Sequence, residues 1–145
     1  MERLNPFANI PIKVIETRSV DHLKLAKTLL TEILSMLSHL LDTGEAGVLD
    51  LRALPTLGQE GYQFLKDQLG IGEVKAQIQS FGRSEIQETA IAGIWWVSHY
   101  NQDDDIYTEL IEVNFFPEIL KTHRDDIVLS QTTLANLIKA LAESS

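Results

Sequence analysis

The stretch from Leu69 to Ile119 constrains this chain most, because its hydrophobic period is two and its turns are frequent. From Glu73 to Gln79 the residues alternate, with Val74, Ala76 and Ile78 on one face and Glu73, Lys75, Gln77 and Gln79 on the other. That is the mark of a half-buried strand. Gly70 and Gly72 precede it as a Gly-x-Gly turn, where the missing Cβ permits positive φ. After Ser80-Phe81-Gly82-Arg83, a second run extends from Ser84 to Asn101. Its even positions, Ile86, Glu88, Ala90, Ala92, Ile94 and Trp96, are apolar apart from Glu88. Asn101 to Asp105 forms a polar turn, and Ile106 to Val113 is a third strand rich in β-branched and aromatic residues. A turn centred on Asp103 sets Ile94 opposite Glu112 and Trp96 opposite Leu110. The expected unit is a three-stranded antiparallel meander.

The flanks supply helices. Pro6 and Pro11 predict an extended lead-in over residues 1–18, with 10–15 as an edge strand. From about Val20 to Leu41, apolar residues recur at three- and four-residue steps (Leu23, Ala26, Ile33, Leu37, Leu40), after Ser19 or Asp21 as N-cap. Gly44 is placed to end this helix. His39 near its end reads as a polar residue favoured by the helix dipole. A strand over 47–52 follows, then a helix from Gln59 to Leu69 stopped by Gly70. Pro117 closes the meander, 118–121 reads as a single turn, and a last helix over 130–142 carries Leu134, Leu137, Ile138 and Leu141 on one face. The fold class is α+β: a mainly antiparallel sheet with helices packed on one side.

Composition narrows the function. With 145 residues the chain is expected to be one domain, and with no cysteine it has no disulfide, thiolate metal site or cysteine nucleophile. The start has no signal-peptide h-region, and no run approaches the roughly 20 apolar residues that span a bilayer. A cytoplasmic location and no membrane span are expected. The net charge is −9, so a phosphate backbone is a poor partner and nucleic acid is not expected. A basic partner segment suits such a surface better.

No cofactor and no metal site is read from the motifs. Asn101-x-Asp103-x-Asp105 with Glu112 has the EF-hand spacing, but Ile106 stands where that loop needs glycine, so a solvated turn is the better reading. The Gly70/Gly72 pair lacks the third glycine of a nucleotide fingerprint and follows a helix. Glu88 breaks an apolar face, so its carboxylate must be paired, hydrogen-bonded or protonated. Two uses stay open. It is tied to Arg83, Lys75 or a backbone amide, or turned outward by a bulge; or it forms a carboxylate pair with Glu112 whose raised pKa serves acid–base chemistry. Trp95 and Trp96 face opposite sides of their strand; Trp95, with Ile91 and Val97, is the candidate for exposure and partner anchoring, and core packing of both tryptophans is the equal alternative.

Several ordered blocks carry a family resemblance. They are Gly70-Ile71-Gly72-Glu73-Val74, Ser84-Glu85-Ile86-Gln87-Glu88-Thr89, Gly93-Ile94-Trp95-Trp96-Val97, Ile111-Glu112-Val113 and Pro117-Glu118-Ile119-Leu120. Val48 to Pro55 and Asp125-Asp126-Ile127 fit the same pattern. Together they resemble the C-terminal domain of hydrogenase expression/formation proteins of the HupH/HyaF type, with residues 1–145 as a single such domain. The resemblance implies a non-enzymatic accessory role in [NiFe] hydrogenase maturation. It implies a chaperone for the small-subunit precursor during iron–sulfur cluster assembly before export, with other maturation proteins as further partners. It implies no catalytic residues. The expected partner-binding residues are Glu85, Glu88, Trp95, Trp96 and Glu112; the contrasting class is a small enzyme working through Glu88 and Glu112.

Overall fold

A computed structural model describes the backbone of residues 6–144 and the side chains of residues 20–144. Helix α1 (Pro6–Thr43) leads through a short loop to β1 (Gly47–Asp50), two 3₁₀ turns and α2 (Gly58–Leu69). Four strands follow: β2 (Lys75–Gln79), β3 (Arg83–Glu88), β4 (Ile94–Tyr100) and β5 (Ile106–Val113). A 3₁₀ turn (Glu118–Leu120) then leads to α3 (Arg124–Glu143). The five strands make one antiparallel sheet in the order β1-β5-β4-β3-β2, so the fold is α+β as expected.

One sheet face lies against α1 and α2. Ala26, Leu29, Ile33 and Leu40 of α1 and Leu65 and Leu69 of α2 pack with Ile94, Trp96, Ile111 and Val113. Burying each of these Leu, Ile and Val side chains contributes about 1.5–3 kcal/mol, and this stripe is what holds helices to sheet. The opposite face carries a second cluster of Ile86, Trp95 and Val97, flanked by Ala76, Ile78 and Leu110. Gly44 (φ 77°) ends α1 and Gly70 (φ 69°) ends α2, both in the region that favours glycine.

Four expectations are corrected. The backbone from Pro6 to Ser19 is helical and continuous with α1, not an extended lead-in with an edge strand at 10–15; residues 1–5 of that lead-in lie outside the described residues. Pro6 occupies the first helical position, where its missing N–H is not required, and Pro11 forfeits one early bond. The run from Ser84 to Asn101 is two strands, because residues 89–93 form a hairpin turn built on Thr89. Its N–H donates to the Ile94 carbonyl (3.0 Å) and its hydroxyl to the Ile91 and Ile94 carbonyls (3.0 and 2.9 Å). Side-chain parity therefore does not carry across: Glu88 pairs with Trp95 and Ile86 with Val97, on the face away from Trp96.

The third correction is register. Tyr100 pairs with Ile106, as a turn centred on Asp103 requires, but an irregularity between His99 and Tyr100 shifts the ladder by one. Ile94 then meets Val113 and Trp96 meets Ile111, and a one-residue shift exchanges the faces. The fourth concerns α3. It starts at Arg124 rather than 130, and every one of its residues is exposed, Leu134, Leu137, Ile138 and Leu141 included. This helix joins neither core cluster.

Candidate functional site: a carboxylate-floored cleft

The helix-facing side of β4 and β5 places polar groups where the apolar stripe runs out. Ser98 stands directly opposite Glu109, two pairs along from Trp96 and Ile111 and on the same face. Glu109 is only 5% exposed. A carboxylate so placed needs donors, and three supply them. The Trp96 indole Nε1 donates to Glu109 Oε2 at 2.8 Å, the Ser98 hydroxyl at 3.1 Å, and the Tyr62 hydroxyl of α2 at 2.7 Å. Burial and the hydrogen bond to Glu109 hold the Tyr62 phenol well above its ordinary pKa, because both penalise the phenolate.

Around this floor is a cleft of about 610 Å³ between α2 and the sheet. The Tyr62 and Trp96 rings meet edge to face, with centroids 5.4 Å apart. Lys66, one helical turn beyond Tyr62, sets its ammonium 5.2 Å from the Trp96 centroid and 5.5 Å from the Tyr62 centroid. Glu85 and Gln87 of β3 and Lys75 of β2 line the far wall.

The sequence-predicted residues divide between the two faces. Glu85 and Trp96 come together in the cleft, where Glu85 accepts from Arg83 Nε at 3.0 Å. Glu88, Trp95 and Glu112 form a row on the other face, with Trp95 between the two carboxylates. Two strand spacings, roughly 9–10 Å, separate Glu88 from Glu112 at the backbone, so they are not a close pair. Each carboxylate is occupied locally. Glu88 Oε1 accepts from the Glu73 and Val74 amides (3.1 and 3.4 Å). Glu112 Oε2 accepts from Asn114 Nδ2 and the Glu118 amide (2.9 and 2.8 Å). Trp95 is buried at 6% exposure, not presented to a partner, and its Nε1 donates to the Asn114 carbonyl at 3.2 Å.

The other motifs resolve as turns. Asn101 Oδ1 accepts from the Asp103 and Asp105 amides, and Arg83 pairs with Asp104, giving an ordered hairpin. A Cβ on Gly72 would stand 2.3 Å from the Thr89 carbonyl oxygen, so that glycine serves a close backbone approach. His39 bonds Glu45 at the exposed end of α1. Among the described residues, no group of three or more His, Cys, Asp or Glu gathers to hold a metal ion, and no helix is long and apolar enough to cross a membrane.

Glu109 and Tyr62 were not singled out from the sequence. A signal was available: Glu109 shares strand parity with Ile111 and Val113, and a Tyr in an apolar helical stripe needs an acceptor for its hydroxyl.

These features define an α+β domain: an open five-stranded antiparallel sheet, helices on one face, and a cleft floored by a buried carboxylate. The family model of the HupH hydrogenase expression protein, C-terminal conserved region, matches residues 23–141, and the chain belongs to this family. It is 33% identical over 94 residues to the hydrogenase expression/formation protein HupQ of Azotobacter chroococcum mcd 1, covering 65% of this chain and 33% of the relative. It is 31% identical over 98 residues to HupH of Rhodobacter capsulatus, covering 68% of this chain and 35% of the relative. The match thus spans about a third of these curated relatives. A solved structure of the hydrogenase expression protein HupH from Thiobacillus denitrificans ATCC 25259 superposes with a TM-score of 0.75 at 40% identity, covering 79% of this chain and 95% of that one.

Proposed function

We propose that this chain is a non-enzymatic accessory protein of [NiFe] hydrogenase maturation that holds the small-subunit precursor in the cytoplasm before export. The relatives named above are hydrogenase expression/formation proteins, which supports a role in hydrogenase maturation. The observation that carries the binding role is the apolar surface of α3. Ile127, Leu134, Leu137, Ile138 and Leu141 recur at helical spacing with 54–61% of their surface exposed. Contiguous exposed apolar surface on this scale marks an interaction site. An enzymatic reading through Glu88 and Glu112 has no comparable support, since Trp95 stands between them and each carboxylate is engaged by backbone or amide donors.

The test is affinity capture of the tagged chain from cells expressing hydrogenase, with mass spectrometry of the eluate. A small-subunit precursor is expected, and it should be lost with Leu134→Asp/Leu137→Asp, which alters α3 without touching either core. Recovery of the chain alone under inducing conditions refutes the proposal.

A further inference from the structure

The cleft lined by Trp96, Ser98 and Glu109 already carries a cation on its Trp96 ring, and that cation, Lys66, belongs to the chain itself. We propose that this cleft receives an arginine side chain from a protein partner, with Lys66 as the resident cation that the guanidinium displaces.

Three observations carry this. First, all three donors to Glu109 share Oε2, and Oε1 takes none of them. Among the described residues, the one buried side-chain polar atom without a hydrogen bond is His22 Nδ1, so Glu109 Oε1 is not fully enclosed; Glu109 lines both this cleft and an adjoining cavity that it shares with Tyr62 and Arg52. Second, the Trp96 ring, which lines the cleft, already holds the Lys66 ammonium 5.2 Å from its centroid, so it stands within cation–π range of a charge there; Tyr62, 5.5 Å from the same ammonium, lines the adjoining cavity. Lys66 is exposed on α2, and its flexible stem can swing into solvent without disturbing the core. Third, the cleft's about 610 Å³ exceeds what the Lys66 head fills, and its opposite wall holds Glu85, one of whose oxygens is paired with Arg83, beside Gln87 and Lys75.

Guanidinium suits these groups better than ammonium. Its planar fork can reach Glu109 Oε1 while its face stacks on an indole, and it is more weakly hydrated than an ammonium. A net charge of −9 favours encounter with a basic segment. The cleft's affinity for the cation stands on this geometry alone; its use by a maturation partner rests on the accessory role proposed above.

The two tryptophans provide an internal control. Trp96 Nε1–H bonds Glu109 in the cleft, and Trp95 Nε1–H bonds the Asn114 carbonyl on the other face. A blocked peptide, acetyl-Ser-Arg-Gly-amide, is titrated into the ¹⁵N-labelled chain beside its neutral citrulline analogue. The arginine peptide should move the Trp96 indole resonance, leave that of Trp95 in place, and bind more tightly than the citrulline peptide. Glu109→Gln should weaken binding about tenfold or more, the loss of one buried charge-assisted contact. Lys66→Met, a surface change that does not depend on refolding the floor, should tighten it about fivefold by vacating the rings.

Equal response to both peptides, no Trp96 shift up to roughly 10 mM arginine peptide, or weaker binding in Lys66→Met overturns the proposal. Repeating the capture experiment with both variants separates the two readings. A precursor captured equally well by wild type, Glu109→Gln and Lys66→Met sinks arginine docking and leaves the accessory role standing. Arginine-specific binding without any captured precursor does the reverse.

Discussion

Replacing Glu109 by alanine should destabilise the fold by about 3–4 kcal/mol, and the figure can be built from its three donors. Trp96 is 5% exposed and Ser98 8%, so neither can turn fully to water when the acceptor goes. A buried donor left without a partner costs about 1–3 kcal/mol; the fixed indole N–H sits near the top of that range, and the rotatable Ser98 hydroxyl near the bottom. Tyr62 is half-buried and its hydroxyl can find solvent, adding well under about 1 kcal/mol. Relief of the carboxylate's desolvation offsets part of the total, while the cavity adds to it. Glu109→Gln keeps one acceptor oxygen for the indole and should cost only about 1–2 kcal/mol, the difference between charge-assisted and neutral bonds. The assay is urea unfolding followed by intrinsic fluorescence, with Tyr62→Phe as the second arm of a double-mutant cycle. Glu109→Ala and Tyr62→Phe share one oxygen, so their effects should be non-additive by about 0.5–1 kcal/mol. A Glu109→Ala loss below about 0.5 kcal/mol, or additivity in the cycle, refutes the account of Glu109 as the shared acceptor.

Tyr62 also predicts a pH response. Its phenol is raised from an ordinary value of 10.0, so above that pH the unfolded chain sheds a proton that the native chain keeps. Stability is therefore intact below about pH 10 and falls as pH rises beyond it, by at most ~1.4 kcal/mol per pH unit and less because solvent screens the half-exposed ring. Tyr62→Phe should flatten that alkaline limb in unfolding titrations; an unchanged slope counts against burial and Glu109 as its cause. Gly72→Ala should lower the unfolding midpoint sharply, by about 2 kcal/mol or more, since a Cβ would stand 2.3 Å from the Thr89 carbonyl oxygen. A Gly72→Ala chain as stable as wild type would mean the 89–93 turn moves at no cost. Amides of α3 should exchange with solvent far faster than those of β4 and β5, because an unburied 20-residue helix is marginal in water. Protection of α3 matching the sheet would show that the isolated chain buries this helix in solution.

The comparison of sequence with structure turns on where period and parity hold. The helix stripes of α1 and α2 were legible because each core contact repeats within one element: Ala26, Ile33 and Leu40 fall on one side of α1 whatever the rest of the chain does. The positions of β2 and β5 were legible for the same local reason, and so was the Asn101–Asp105 turn, whose hydrogen bonds lie within five residues. Facing was not. Two single-residue events decide it: the turn at Thr89 and the register shift beside Tyr100. Each exchanges the sides of everything beyond it. Glu88 was thereby read as sharing a face with Trp96, and Glu112 as lying opposite Ile94. Once parity is corrected, the even-numbered acid Glu112 leaves the helix side, and the odd-numbered Glu109 enters it beneath Tyr62. The cleft is consequently a tertiary property of α2 and the β4–β5 hairpin, and its sequence-level traces are the parity of Glu109 with Ile111 and Val113 and a set of polar-tipped aromatics on faces otherwise given over to the core. Because the same oxygen of Glu109 serves Trp96, Ser98 and Tyr62, strand, sheet and helix are tied at one point, and any partner that engages the other oxygen will act on all three at once.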